Sequence, residues 1–378
     1  MTKKLIATTV LMLATICASA QEEKKWYDNM KLSGYGMVQY QASDKKGDKQ
    51  NSINLRLLRL ILDGKIGKDV DWRVQAQGTS NAGPAAATFN LVDLYAEWRR
   101  FDFLQVRAGQ FKRAFTFENP THPITQGWYS YAMSVNKLSG FGDRTGEKSS
   151  GGRDIGVQLQ GDLFRVAGHP LFHYQVGVYN GEGINTKDKD NRKDIIGGAW
   201  IMPVKGLRIG GFGWTGSRGG YTIDGKTNQS VSKNRYTISA EWDKNDWTFR
   251  TEYIHSQGFG TASAGDGSNT LERRKGDRAD GFYVFGIVPI IKNKLHVKAR
   301  YDVYRDEYAS GKKIWKDVGA NGDVRSVRYE GGIDYLFTKN LELNLMYSRI
   351  DDHTRDYNTM YINKYKYNMV DLELDIRF

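Results

Sequence analysis

The sequence predicts an all-β protein, namely a transmembrane antiparallel β-barrel of 16 strands with short periplasmic turns and long outer loops. First, apolar and polar residues alternate over segments of about ten residues, the pattern of strands with one lipid face and one water face. Second, short and long connections follow these segments in turn. Third, no run of 18 apolar residues follows residue 20, which excludes membrane-spanning helices.

The first 20 residues are predicted to form a secretory signal peptide. Lys3 and Lys4 precede an apolar stretch at 5–16, and Ala18 and Ala20 supply the small residues of a cleavage site. This stretch is too short to span a bilayer, which disfavours the alternative of a retained anchor helix.

Cys17 is the single cysteine of the chain and lies inside this segment. A lipoprotein signal needs a small residue immediately before the cysteine, and Ile16 stands there. Cleavage after residue 20 is therefore favoured over lipidation. The mature chain is then expected to have no disulfide and no cysteine-based metal site.

Residues 21–30 are predicted to form a short periplasmic segment and residues 31–378 a single barrel, because no composition break or proline-rich linker interrupts them. The formal net charge is +12. An exported basic protein can bind nucleic acid, anionic lipid or anionic solutes. The barrel pattern favours outer-membrane lipid outside and small anionic solutes inside, and it indicates no nucleic-acid partner.

The last segment of the chain shows the strand pattern clearly. Apolar residues occupy positions 370, 372, 374, 376 and 378, and charged residues stand between them. Turns at 243–246, 292–294 and 338–340 are short, whereas the loops at 257–278 and 305–323 are long. The predicted strands lie near 31–41, 52–65, 70–79, 89–99, 103–111, 154–162, 171–180, 194–203, 206–215, 233–243, 246–256, 279–290, 294–305, 324–337, 340–350 and 366–378.

The width of such a barrel decides which face meets lipid. Sixteen strands enclose a lumen too wide for side chains to fill, so the charged face is expected to line water. The apolar face then meets lipid, where a closed barrel satisfies every backbone group. A soluble propeller is the alternative, but the sequence has no repeat of blade length.

Residues 104–118 (LQVRAGQFKRAFTFE) resemble a motif of the phosphate-selective porin O/P family. The matching residues are Gly109, Gln110, Phe111, Lys112, Phe115 and Glu118. Ala114 departs from the motif, because proline is usual there. Residues 58–75, 153–161 and 174–183 are also similar to strands of this family.

The resemblance implies a passive diffusion channel of the Gram-negative outer membrane that assembles as a homotrimer. It also implies that the third outer loop folds into the pore. The connection at about 112–152 is the longest in the chain, and connections longer than about 15 residues are usually functional or disordered. Phe378, the terminal residue, resembles the signal read by the barrel-assembly machinery.

Rings of inward arginine and lysine select anions in pores. Alternation also places acidic residues on this face, among them Asp93, Glu97, Glu241 and Glu330. The alternative is therefore that the basic residues form cross-strand ion pairs that stabilise the wall. The residues predicted to form the anion pathway are Lys112, Arg113, Arg107, Arg99, Arg73, Arg250, Arg300 and Lys298.

Other motifs are discounted. The G-x-G-x-x-G pattern at 211–216 lies in an aromatic-rich strand without the helix that a dinucleotide site requires. Asp188, Asp190, Asn191 and Asp194 form only part of a calcium loop. No G-x-S-x-G motif occurs, so no catalytic site is predicted, and neither is a cofactor or a metal.

The sequence thus predicts a porin for small hydrophilic solutes that prefers anions of the phosphate type. The alternative is a non-transport outer-membrane protein whose long outer loops bind a glycan or an envelope partner. Trp128, Tyr129 and Tyr131 could supply the aromatic surface for that alternative.

Overall fold

The computed structural model describes residues 29–79, 89–147, 151–223, 225–258, 261–263, 270–273, 278–307, 324–355 and 361–378. The predicted signal peptide at 1–20 and most of the segment at 21–30 lie outside the described residues. Of the helices in the described part of the chain, none is long and apolar enough to cross a bilayer.

The described chain is built almost entirely from strands. One short α-helix, α1 (Met133–Leu138), and a 3-10 turn (Pro123–Thr125) lie between residues 112 and 153. The strands are β1 (Lys31–Ser43), β2 (Gln50–Ile66), β3 (Val70–Thr79), β4 (Phe89–Phe101), β5 (Leu104–Lys112), β6 (Arg153–Val166), β7 (His169–Tyr179), β8 (Asp194–Ile201), β9 (Leu207–Ile223), β10 (Lys226–Lys244), β11 (Trp247–Gln257), β12 (Thr261–Ser263), β13 (Thr270–Arg273), β14 (Arg278–Ile291), β15 (Leu295–Glu307), β16 (Val324–Thr338), β17 (Leu341–Arg355) and β18 (Ile362–Arg377).

Sixteen of these strands close into one antiparallel barrel, as predicted. Each pairs with its neighbours in sequence, and β1 pairs with β18 to complete the ring. The short strands β12 and β13 pair with each other outside this ring, and β11 pairs directly with β14. The sequence pattern did not reveal this hairpin, because strands of three and four residues are too short to show a period.

The strands β9 and β10 are longer than predicted. They extend to Ile223 and begin at Lys226, whereas the pattern indicated strands at 206–215 and 233–243. Glycine, serine and other polar residues fill the added length. Only Tyr221, Ile223 and Val231 form a small apolar cluster there, which is too few residues to give a clear alternating signal.

The faces of the wall are also as predicted. On β18, Leu372 is 37% exposed and Ile376 is 41% exposed, whereas Asp371, which lies between the apolar positions 370 and 372, is buried. Ile238 of β10 likewise points outward, at 62% exposure, beside the buried Thr237. Charged and polar side chains therefore line the interior, and aliphatic side chains cover the outside.

The connection between β5 and β6 lies inside the barrel, and its residues 113–147 are called the inner loop below. Its helix α1 contacts β11, β14 and β15. The rings of Phe115 and Trp214 lie 5.2 Å apart, and those of Trp128 and Phe285 lie 6.3 Å apart. The main apolar core thus forms between the inner loop and the inner surface of the wall.

Candidate solute pathway

The inner loop begins with a tightly hydrogen-bonded turn. The Asn119 side-chain oxygen accepts hydrogen bonds from the backbone N–H groups of Phe115 and Thr116, at 3.0 and 3.2 Å. The Asn119 amide group donates to the Arg113 carbonyl at 2.8 Å. Asparagine forms such local bonds to the backbone readily, and here they direct the chain from β5 into the lumen.

Side chains of the wall bind the backbone of the inner loop. Lys298 donates to the Gly127 carbonyl at 2.7 Å, and Arg300 donates to the Ser130 carbonyl at 2.8 Å. Asp302 accepts a hydrogen bond from the Met133 N–H at 2.7 Å. Because all three wall residues lie on β15, this strand fixes the middle of the inner loop.

The end of the inner loop is held by a buried group of ion pairs. Arg113 pairs with Glu147 and, at 3.0 Å, with Asp154, while Lys233 lies 3.0 Å from Glu147. Burial alone would lower the pKa of Arg113, but the acids around it raise that pKa above its ordinary value. Trp214 packs against both cations, with its ring centre 4.7 Å from the Arg113 guanidinium.

Four of the predicted pathway residues are enclosed between wall and inner loop. Arg113, Arg250, Lys298 and Arg300 are each at most 6% exposed. Arg250 pairs with Glu241 and Arg300 pairs with Glu330. Arg113, Lys298 and Arg300 thus contact and stabilise the inner loop, whereas Arg250 pairs within the wall, and a direct contact with solute stays a prediction for all four.

The other four predicted residues line open space along β3–β5. A cavity of about 440 Å³ at the short-turn end includes Arg73, Arg99 and Arg107 in its lining. A second cavity of about 260 Å³, beside the inner loop, is lined by Arg73, Arg107 and Lys112. Because the two cavities share lining residues, they are neighbours along one side of the lumen.

Most of the cations on this side are paired with carboxylates. Arg73 lies 2.7 Å from Asp63, and Arg99 lies 2.8 Å from Asp71. Arg107 lies 3.0 Å from Glu97. These three arginines therefore form the cross-strand ion pairs of the alternative prediction, and their charges are largely balanced. Their part in an anion pathway stays a prediction.

Lys112 has a different environment. Its ammonium group donates to the carbonyls of Asn119 and Thr121, at 3.0 and 2.5 Å, and to the Tyr131 hydroxyl at 3.3 Å. These acceptors are neutral, and within the described residues Lys112 forms no ion pair. An ammonium group has three donors, so all of them are engaged with neutral acceptors.

Arg59 is a second cation of this kind, and the sequence pattern did not single it out. It is 3% exposed and donates to the Tyr35 hydroxyl at 2.9 Å and to the Gln77 side-chain oxygen at 2.8 Å. In the part of the chain that the structure describes, it too forms no ion pair. The strand around it is nearly a continuous apolar run at 55–62, which obscures the period that would have placed Arg59 inside.

His122 stands among these cations on the inner loop. Burial, together with the nearby charges of Lys112 and Arg59, lowers the pKa of His122 to about 3. The histidine is therefore neutral at physiological pH. The cationic side chains of this region are those of lysine and arginine.

The acidic residues of the 181–193 connection are arranged differently from the partial calcium motif. Glu182, Asp188 and Asp190 have carboxylate oxygens within 4.8 Å of one another. Lys193 binds Asp188, and the Ser217 hydroxyl donates to Asp190 at 2.8 Å. The fourth residue of the sequence motif, Asp194, lies instead 2.8 Å from Lys233. It thus belongs to the buried ion pairs that hold the end of the inner loop.

The aromatic residues considered for an outer glycan surface are inside the barrel. Trp128 is 2% exposed, and Tyr129 and Tyr131 are each 7% exposed. Tyr129 donates a hydrogen bond to Glu330 at 3.1 Å. These three side chains fix the inner loop to the wall, so they do not form an outer surface for a partner.

Comparison with known proteins agrees with this architecture. The family model of phosphate-selective porin O and P matches residues 33–246. No match was found among curated proteins.

Several solved porin structures are similar in fold. The anion-selective porin from Comamonas acidovorans is 13% identical, with a TM-score of 0.59 over 92% of this chain and 99% of that chain. OmpF of Salmonella typhi in complex with daunomycin is 12% identical, with a TM-score of 0.64 over 93% and 98%. The trimer form of OmpT from Vibrio cholerae is 12% identical, with a TM-score of 0.58 over 93% and 100%. At these identities the likeness shows the barrel fold.

Proposed function

Because the chain belongs to the phosphate-selective porin O and P family, we propose that this outer-membrane porin conducts small hydrophilic anions, including phosphate, in preference to cations. The family and the fold indicate a channel rather than an enzyme. The anion preference rests on one observation: within the described residues, Lys112 and Arg59 bind neutral acceptors beside the inner loop and form no ion pair.

The physical reason is the difference between paired and unpaired charges. An arginine in contact with a carboxylate forms a dipole, whose field falls off quickly with distance. A fixed charge without a counterion keeps its field, and low-dielectric walls concentrate that field in the lumen. Lys112 and Arg59 therefore raise the potential along the pathway and attract anions.

We assign different roles to the cations of the pathway. Lys112 has all three donors engaged, so it acts through its charge at a fixed position. Arg73 and Arg107 are half-buried and line both cavities, so they contact passing anions, and the planar guanidinium suits phosphate oxygens. Arg99 lies nearer the short-turn end. Arg113, Lys298 and Arg300 act indirectly, by fixing the inner loop, and Arg250 stabilises the wall through its pair with Glu241.

Reversal potentials of single channels in a salt gradient test this proposal. Lys112→Gln is expected to lower the anion-to-cation permeability ratio, and Lys112→Arg is expected to retain it, because the charge is kept. Arg99→Gln is the matched control. It is expected to change the permeability ratio less than Lys112→Gln does, because Arg99 is paired with Asp71 and half-exposed. Cation preference of the unaltered channel would overturn the proposal. Absence of block of the chloride current by added phosphate would leave anion preference without phosphate selectivity.

Export and assembly complete the proposal. The signal-peptide pattern at 1–20 supports export, and N-terminal sequencing of the protein from membranes would reveal residue 21 as the first. The trimer form of OmpT supports a homotrimer of this chain. The outward residues Val176 and Val178 of β7, 42% and 46% exposed, suit either lipid or a neighbouring subunit. Chemical cross-linking in outer membranes distinguishes a trimer from a monomer.

A further inference from the structure

The 260 Å³ cavity beside the inner loop has two chemically different sides. Its side on β3–β5 carries cations, namely Arg73, Arg107 and Lys112. Its side on β6–β8 carries no charged lining residue apart from Arg153, which is paired with Asp93 at 2.6 Å. Amide and aromatic side chains form this second side instead.

The aromatic part consists of His173 and Trp200. Their rings are stacked, with centres 4.0 Å apart and planes inclined by 17°. The His173 ring is oriented by Asp162 at 2.7 Å, and Trp200 packs edge-on against Phe117 of the inner loop. Contacts on both sides thus hold this stacked aromatic surface in place, and half-buried Trp200 and His173 both reach the cavity.

A row of amides connects this surface with the cations. Gln158 donates to the Gln160 side-chain oxygen at 2.6 Å, and Gln160 donates to Glu97 at 2.6 Å. Gln175 on the next strand donates to the Ala114 carbonyl at 2.7 Å. The Gln158 oxygen accepts a hydrogen bond from the Tyr179 hydroxyl at 2.7 Å. A carboxamide oxygen has two lone pairs, so Gln160 and Gln175 can accept hydrogen bonds from solute hydroxyls while the row stays intact.

An inorganic anion would use only the cationic side. A ligand site usually combines an apolar or aromatic surface with a few polar groups that fix orientation. Here the cations suit a phosphoryl group, the amides suit hydroxyl groups, and the ring stack suits the C–H face of a pyranose. We propose that this cavity is a binding subsite for sugar phosphates, which binds them more tightly than it binds inorganic phosphate.

This inference rests on the proposed anion preference and specifies the solute. The test measures how glucose 6-phosphate, inorganic phosphate and glucose each block the chloride current of single channels. Glucose 6-phosphate is expected to block at a concentration about tenfold lower than inorganic phosphate, since one well-formed aromatic contact is worth about that factor. Glucose, which lacks the anionic group, is expected to block only weakly.

Two variants on β8 separate the ring contact from the charge. Trp200→Ala is expected to raise the blocking concentration of glucose 6-phosphate to that of phosphate, without changing the phosphate value. Trp200→Phe keeps an aromatic face and is expected to retain much of the difference. An unchanged phosphate block in Trp200→Ala also shows that this variant still forms the channel.

The outcomes are distinguishable. Equal block by phosphate and glucose 6-phosphate in the unaltered channel would overturn the sugar-phosphate subsite while leaving anion conduction intact. Equal block by glucose and glucose 6-phosphate would overturn it as well, because the cations would then play no part. A channel that prefers cations and is blocked by neither phosphate compound would contradict the proposed function itself.

Discussion

The Glu252 carboxylate on β11 accepts a hydrogen bond from the backbone N–H of Phe117 at 2.6 Å. Its other oxygen accepts a hydrogen bond from the Glu118 N–H at 2.9 Å. The hydroxyls of Ser239 and Tyr283 donate to the same carboxylate. One buried wall residue thus receives four hydrogen bonds and fixes the first turn of the inner loop against β10, β11 and β14.

Replacing Glu252 by glutamine should release this turn. An amide has one oxygen, so its NH₂ group would face a backbone N–H that now lacks an acceptor. Hydrogen bonds to charged groups contribute about 1.5–3 kcal/mol each, so the loss of stabilising free energy is large for a single turn. We expect Glu252→Gln channels to show a larger and less steady single-channel conductance, recorded in planar bilayers at neutral pH.

Glu241→Gln is the matched control for this change. Glu241 is also a buried wall carboxylate, 6% exposed, and it pairs with Arg208 and Arg250 of the wall. Its replacement disturbs the same region without removing a bond to the inner loop. If Glu252→Gln conducts as steadily as Glu241→Gln, the carboxylate does not hold the turn in place.

The strands of the wall could be predicted from sequence because the alternation that reveals them lies within each strand. Each strand alternates between lipid and water, so residues such as Leu372 and Asp371 reveal their faces by position alone. Where small and polar residues occupy both faces, as on β9 at 216–220, the signal disappears although the burial still alternates. Arg59 shows a related failure, since its neighbours in sequence are apolar on both faces.

The contacts of the pathway residues could not be predicted in the same way. Alternation placed Arg107 and Arg300 on the same inner face, but Arg107 lines a cavity and Arg300 lies under the inner loop. This difference depends on which part of the wall the loop covers. That choice is made by long-range pairs such as Tyr129 with Glu330, which leave no periodic trace in the sequence.

Arg113 should be essential for stability, although it was expected to contact solute. Arg113→Gln would leave Glu147 and Asp154 buried with less countercharge, and breaking a buried ion pair costs about 3–5 kcal/mol. We expect a clearly lower thermal unfolding midpoint in detergent and faster proteolysis within 113–147. Arg99→Gln removes a half-exposed pair worth about 1 kcal/mol at most. Equal midpoints for the two variants would contradict this role.

Glu118 should make the stability of the inner loop depend on pH. Burial raises the pKa of Glu118 to about 7 from its ordinary value of 4.5, against the attraction of Arg300 and Arg250. Between these two pH values the folded protein holds a proton that the unfolded chain releases. Stability therefore falls as the pH rises from 4.5 to 7, by about 3 kcal/mol in all.

Glu118→Gln imitates the protonated form and removes this dependence. The variant is expected to unfold at a higher temperature than the parent at pH 8, and at nearly the same temperature at pH 5. Its amide oxygen can still accept the Ala132 N–H, which lies 2.9 Å from the carboxylate. A difference of the same size at both pH values would show that titration of Glu118 is not the cause.

Phe378 closes the barrel through its backbone, and its ring provides a separate test. Its N–H donates to the Gly34 carbonyl at 3.0 Å, and the Gly34 N–H donates to the Phe378 carbonyl at 2.8 Å. The ring covers Gly34 so closely that a Cβ atom there would lie 2.6 Å from it. Phe378→Ala keeps both backbone bonds and removes only the ring, whereas deletion of Phe378 removes all of these contacts.

If the assembly machinery reads the aromatic ring, both changes should lower the amount of heat-modifiable barrel in outer membranes. Phe378→Ala should nevertheless refold in detergent as well as the parent, and Phe378→Tyr should assemble normally in cells. Parental amounts of assembled Phe378→Ala in cells would show that the ring is not the signal.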